Sequence, residues 1–169
     1  MVLGNKNTAL YFRNFVFGVE DSLVSTLGLL SGVAMANTPK ETIVLSGIVL
    51  IFVEAFSMGI GSFLSEDATD ELVEKKGFQI GSVYASIIMF FSYFLSGFIP
   101  LSPYILLDIK VAFSVSIVAS LMTLFLIGAL SARYFKRNVL KLGFKMLLLG
   151  GLAVALGTLI GGNAIKLGL

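Results

Sequence analysis

The chain has 169 residues, with no cysteine, no histidine, no tryptophan and three prolines. Without cysteine it has neither a disulfide framework nor a thiolate metal site. Without histidine it has no imidazole metal ligand, no histidine haem ligand and no histidine-based catalytic triad. Any metal ligand must therefore be a carboxylate, thioether, hydroxyl, amide or backbone carbonyl. Charge is scarce too: 13% of the residues are charged, against roughly 25% in a soluble domain. A di-metal carboxylate oxidase would show Glu-x-x-His pairs, and no phosphate loop or nucleophile motif appears. The chain does not read as an enzyme, and nothing in it asks for a cofactor.

Hydrophobic residues make up 57% of the chain. They lie in stretches long enough to cross a bilayer core of ~30 Å. The sequence predicts one all-α integral membrane domain, residues 1–169, with five transmembrane helices at about 11–36, 41–65, 79–99, 108–132 and 142–165. Pro39 stops one helix and starts the next. Pro100, Ser102 and Pro103 predict a tight turn after the third span. The connection 66–77 is a short acidic linker that continues the second helix. Short loops make consecutive helices antiparallel neighbours. The first apolar stretch, from about Ala9, lacks the signal-peptide pattern and carries Arg13, Asn14, Glu20 and Asp21, so it reads as a mature span.

Orientation follows from lysine and arginine bias. Nine of these residues fall with the N-terminus and the second and fourth loops; Lys40, Lys110 and Lys166 fall on the other side. This places the N-terminus in the cytoplasm and the C-terminus outside. The basic loop Arg133 to Lys145 lies against the membrane, where it sets topology and meets anionic lipid; nucleic acid is not an expected partner. A chain this short without a targeting segment suits a prokaryotic plasma membrane.

Three carboxylates fall inside the spans: Glu20, Asp21 and Glu54. Each costs roughly 2.5–3.5 kcal/mol at mid-helix on insertion scales. Such groups are paired, protonated, or turned towards a water-filled or ion-filled cavity. In span one, Asn14, Gly18, Asp21, Ser25 and Gly28 recur at three- and four-residue steps, a small and polar stripe. In span two, Glu54, Met58, Gly61 and Ser65 do the same. At the helix rise, Asp21 lies ~15 Å, Glu54 ~16 Å and Met58 ~10 Å from the cytoplasmic ends of their spans. The three are expected in one layer of the cytoplasmic half.

Carboxylates can replace a cation's hydration shell, and a thioether favours iron-like ions over magnesium or calcium. A buried carboxylate can also exchange a metal ion for a proton. Against this, a lone methionine is usually packing, Glu20 is placed to snorkel to the interface, and the glycines serve close helix approach. An intramembrane carboxylate carries the stronger functional implication. In the linker, Glu66, Asp67, Asp70, Glu71 and Glu74 form two helical rows. They read equally as a solvated stub or as a metal-collecting entry that raises local cation concentration.

The run Phe17-Gly18-Val19-Glu20-Asp21-Ser22-Leu23-Val24-Ser25-Thr26-Leu27-Gly28 resembles the first-span signature of the vacuolar iron transporter family. Ser57-Met58-Gly59-Ile60-Gly61-Ser62-Phe63-Leu64-Ser65 resembles its second-span signature. The resemblance implies export of Fe²⁺, and often Mn²⁺, from the cytosol in exchange for protons. It also implies a homodimer with the pathway near the subunit interface, lined by the aspartate and methionine that fall on Asp21 and Met58. The chain departs from the pattern: Glu20 stands where asparagine is common, Ser22 where glycine is common, Glu54 where a small residue is usual, and Ser62 where a glutamate often follows the methionine. Glu54 is thus a candidate compensating ligand and Glu20 a neighbouring carboxylate. The connection 66–77 is too short for the cytoplasmic metal-binding domain of the iron-storing members. Two other readings stand beside this one. One is a channel-like pore without metal selectivity. The other is a structural subunit that docks through the glycines of span five, among them Gly150, Gly151, Gly157, Gly161 and Gly162.

Overall fold

The computed structural model describes residues 6–72 and 80–167, and all its regular structure is helical. Five helices follow one another: α1 (Lys6–Met35), α2 (Lys40–Leu72), α3 (Ile80–Leu106), α4 (Ile109–Tyr134) and α5 (Val139–Leu167). Each is long and apolar enough to cross a membrane. Large apolar side chains cover the outside, among them Phe56, Leu95, Met122, Leu148 and Ile160. A water-soluble bundle would bury these groups; against acyl chains they cost nothing.

The links between helices are tight. At the end of α1, Asn37 takes a left-handed conformation (φ 60°) and Thr38 donates its hydroxyl proton to the Val33 carbonyl at 2.8 Å. Pro39 then precedes α2, its carbonyl accepting from the amides of Thr42 and Ile43. Lys136 (φ 53°) makes the corresponding reversal between α4 and α5. Contacts between helix ends fix the up-and-down order. Arg13 pairs with Glu66, and Phe12 stacks on Tyr134 at 4.1 Å, so the start of α1 meets the ends of α2 and α4. At the opposite end Lys40 donates to the Leu107 carbonyl at 3.0 Å.

The turn predicted at Pro100–Pro103 does not occur there. α3 runs through both prolines to Leu106. A proline inside a helix leaves a carbonyl one turn back without its amide partner. At Pro103 that carbonyl belongs to Ile99, and the Ser102 hydroxyl donates to it at 3.2 Å. Membrane helices tolerate proline when a nearby side chain satisfies the freed group in this way. The chain turns instead at Leu107 and Asp108, the latter extended at φ −68°, ψ 148° and capping α4.

α1 is the central helix and touches all four others, most extensively α3 and α5. Its two small-residue faces explain both contacts. Gly28 and Gly32 meet Ala153, Gly157 and Gly161 of α5 backbone to backbone: a Cβ on Gly32 would stand 2.9 Å from the Gly157 carbonyl oxygen, and one on Gly161 would collide with the Gly32 carbonyl. The docking face expected of span five is therefore spent inside the chain at Gly157 and Gly161. Gly150 likewise packs on Leu121 and Leu124, and only Gly151 and Gly162 meet open space.

Candidate functional site

The other face of α1 carries the polar stripe, and it turns towards α3 and α2. Ser22, fully buried, donates to the Tyr93 carbonyl at 2.7 Å. Ser25 and the Tyr93 hydroxyl share a hydrogen bond of 2.7 Å. Tyr93 is itself fully buried. Gly18 makes the approach of α3 close, since a Cβ there would lie 3.0 Å from the Met89 carbonyl oxygen and 3.2 Å from the Met89 sulfur.

Asp21 sits between Gly18 and Ser25 on this face, partly buried, and its charge interacts with that of Glu54 on α2. Both carboxylates also act electrostatically on the Tyr93 hydroxyl. So α1 and α3 are joined here by the Ser25–Tyr93 hydrogen bond, within electrostatic reach of the carboxylates of Asp21 and Glu54. Glu20, the partly buried neighbour of Asp21, lies within electrostatic reach of Lys145 of α5.

Met58 occupies a second level. It is partly buried and lines an open cleft of about 610 Å³ with Asn14, Ser62, Glu66 and Met89. Ser62 donates to Asn14 Oδ1 at 3.3 Å. Asn14 precedes Asp21 by about two turns of α1, and Met58 follows Glu54 by about one turn of α2. The cleft therefore opens at the Arg13–Glu66 end, below the carboxylate pair. Met58 lines this cleft, whereas Asp21 and Glu54 do not.

Of the linker residues, Glu66 is ion-paired with Arg13, and Asp67 is partly buried. The side chains of Asp70 and Glu71, and the whole of Glu74, lie outside the described residues. Among the described residues no three carboxylates gather into a metal cluster. Sequence reasoning missed Met89 and Tyr93, both on α3. A signal was available: Ser82, Ala85, Met89, Ser92 and Ser96 recur at three- and four-residue steps, the same small and polar stripe that marks α1.

Five helices long and apolar enough to cross a membrane, with two carboxylates inside the spans, define a polytopic α-helical membrane protein. The chain belongs to the VIT family, whose profile matches residues 12–79 and 73–162. Membership marks it as a membrane metal-ion transporter. It is also similar to the uncharacterized protein MJ0645 of Methanocaldococcus jannaschii, with 28% identity over 163 residues, covering 85% of this chain and 84% of the relative.

Proposed function

We propose that the chain exports Fe²⁺, and Mn²⁺ beside it, from the cytosol in exchange for protons, with its N-terminus and the Arg13–Glu66 end facing the cytoplasm. The observation that carries this reading is that two carboxylates, Asp21 and Glu54, lie inside the spans within electrostatic reach of each other. Two carboxylates held together in a low-dielectric setting repel unless a cation or protons stand between them. A divalent ion leaving the pair and protons entering it are alternative ways to satisfy the same charge, which is the basis of an exchange. Met58 adds a soft ligand on the way in. Glu20, beside Asp21 and opposed by Lys145, is placed to carry protons towards the pair. The basic residues Arg133, Lys136, Arg137, Lys141 and Lys145 are exposed at the same end, as the cytoplasmic side requires.

A homodimer belongs to this reading. Ser57, Gly61 and Ser65 are exposed on α2 beside Glu54 and Met58. Hydroxyls and bare backbone are poor partners for acyl chains but good ones for a second helix. A second copy laid on this face would close the cleft from the lipid.

The test is uptake into vesicles reconstituted with the chain, using Fe²⁺, Mn²⁺, Zn²⁺, Co²⁺ and Mg²⁺ at two internal pH values. Transition-metal uptake that rises with internal acidity, with Mg²⁺ excluded, is the expected result. Current without metal would favour the unselective pore instead.

A further inference from the structure

An open groove runs between α1, α3 and α4, on a side of the bundle to which α2 and α5 contribute nothing. Its inner part, about 470 Å³, is lined by Val19, Leu95, Ile99 and Thr123. Its outer part, about 370 Å³, is lined by Phe12, Leu130, Arg133 and Tyr134. Phe15 and Ile127 line both, so the two parts are continuous. From Arg133 to Thr123 is ten residues of α4, or ~15 Å at the helix rise. That is half of a bilayer core of ~30 Å, the depth of one leaflet.

The walls are hydrocarbon in character although hydroxyls line them. Ser92, Ser96, Thr123 and Ser131 each donate their proton to a carbonyl of their own helix. None of the four has a proton left for a polar occupant. Phe15, Leu95 and Leu130 are exposed beside them.

The mouth differs. Arg133 lines it, exposed, and among the described residues no carboxylate pairs with it. Lys136 and Arg137 follow, both exposed. Phe12 stacks on Tyr134 there, as aromatic rings do at the level where acyl chains meet headgroups. A basic residue in the last turn of a helix also suits the helix dipole. The dipole does not ask for an apolar groove one leaflet deep beneath the guanidinium. Such a shape fits a hydrocarbon chain with an anion at one end, and a guanidinium grips a phosphate through two parallel hydrogen bonds.

We infer that the groove holds one acyl chain of an anionic phospholipid from the leaflet at the Arg133 end, with its phosphate on Arg133. The lipid is a bound partner wedged between α4 and the α1–α3 pair. Such a site needs only the membrane-spanning fold and is independent of which ion the chain moves.

The chain has no tryptophan, so a single introduced one reports on its surroundings without background. Leu95→Trp places the indole in the groove; Leu126→Trp, exposed on α4 outside it, is the control. Each variant is placed in nanodiscs where either phosphatidylglycerol or phosphatidylcholine carries brominated chains, and quenching is read against mole fraction. At Leu95→Trp, brominated phosphatidylglycerol should be favoured roughly fivefold, the worth of one basic residue near a membrane surface. At Leu126→Trp the two lipids should quench nearly alike. Arg133→Gln should remove the preference at Leu95→Trp and leave quenching by phosphatidylcholine. Phe15→Trp, an aromatic-for-aromatic change on the α1 wall, repeats the reading however Leu95→Trp folds. No preference in the groove, or the same preference at Leu126→Trp, overturns the site, since the lipid there is then ordinary solvent. A preference that outlives Arg133→Gln overturns it too. Absence of quenching by either lipid would mean that protein covers the groove, and likewise overturns it.

Discussion

Asp21 of α1 and Glu54 of α2 interact through like charges within the membrane-crossing part of the bundle, and the Tyr93 hydroxyl of α3 feels both. A fold does not keep such a pair for its own stability. Neutralising one partner should therefore stabilise the metal-free protein while harming function. Asp21→Asn and Glu54→Gln are expected to raise stability in detergent by about 0.5–2 kcal/mol, read as a shift in melting temperature without metal. Fe²⁺ uptake should fall to background in Asp21→Asn and on the order of tenfold in Glu54→Gln. Wild-type uptake by Asp21→Asn would remove the pair from the pathway.

Met58 is the thioether nearest the pair along α2. Met58→Leu keeps the volume and removes the sulfur. Discrimination of Fe²⁺ over Mg²⁺ should drop on the order of tenfold, while expression and melting temperature stay near the wild type. Competition assays in vesicles measure this. Unaltered selectivity would return Met58 to a packing role.

The seam between α1 and α5 offers a sharper stability contrast. A Cβ on Gly157 would collide with the Gly28 carbonyl, whereas one on Gly151 meets nothing. Gly157→Ala should cost about 1–3 kcal/mol through overpacking of backbone against backbone. Gly151→Ala should stay within about 0.5 kcal/mol. Thermal unfolding of the two variants side by side decides the matter; equal effects would mean that the seam is not where α1 and α5 meet.

The chain has no cysteine of its own, so single introduced cysteines report without background. Gly61→Cys, on the exposed polar side of α2, should cross-link two copies in the membrane. Val118→Cys, exposed on α4, should not. Cross-linking at Val118 alone would move the dimer interface away from the cleft.

The sequence made most of the architecture legible, for a physical reason. Apolar length is a property of each span by itself, so five helices could be counted without knowing their partners. The third helix shows where that stops. Pro100 and Pro103 read locally as a turn, yet the helix runs on through both, with the Ser102 hydroxyl satisfying the Ile99 carbonyl that Pro103 frees. The candidate site divides in the same manner. Asp21 and Glu54 stood out because charge in a span is costly wherever it points. Met89 and Tyr93 did not, because an apolar or aromatic residue in a span is unremarkable until its neighbours are known. The glycines of α5 stayed open to two readings for the converse reason: small residues announce a close contact but not whether the other surface belongs to the same chain.

The seam between the first and last helices also bears on how the protein is made. α1 leaves the ribosome well before the backbone it locks onto, at Gly157 and Gly161 of α5. Until then the newborn chain holds Asp21 in the bilayer with only part of its final surroundings. The seam closes only once the fifth span has entered the bilayer and returned to the first. A ribosome stalled before the fifth helix would leave an inserted but open bundle, a natural substrate for membrane quality control.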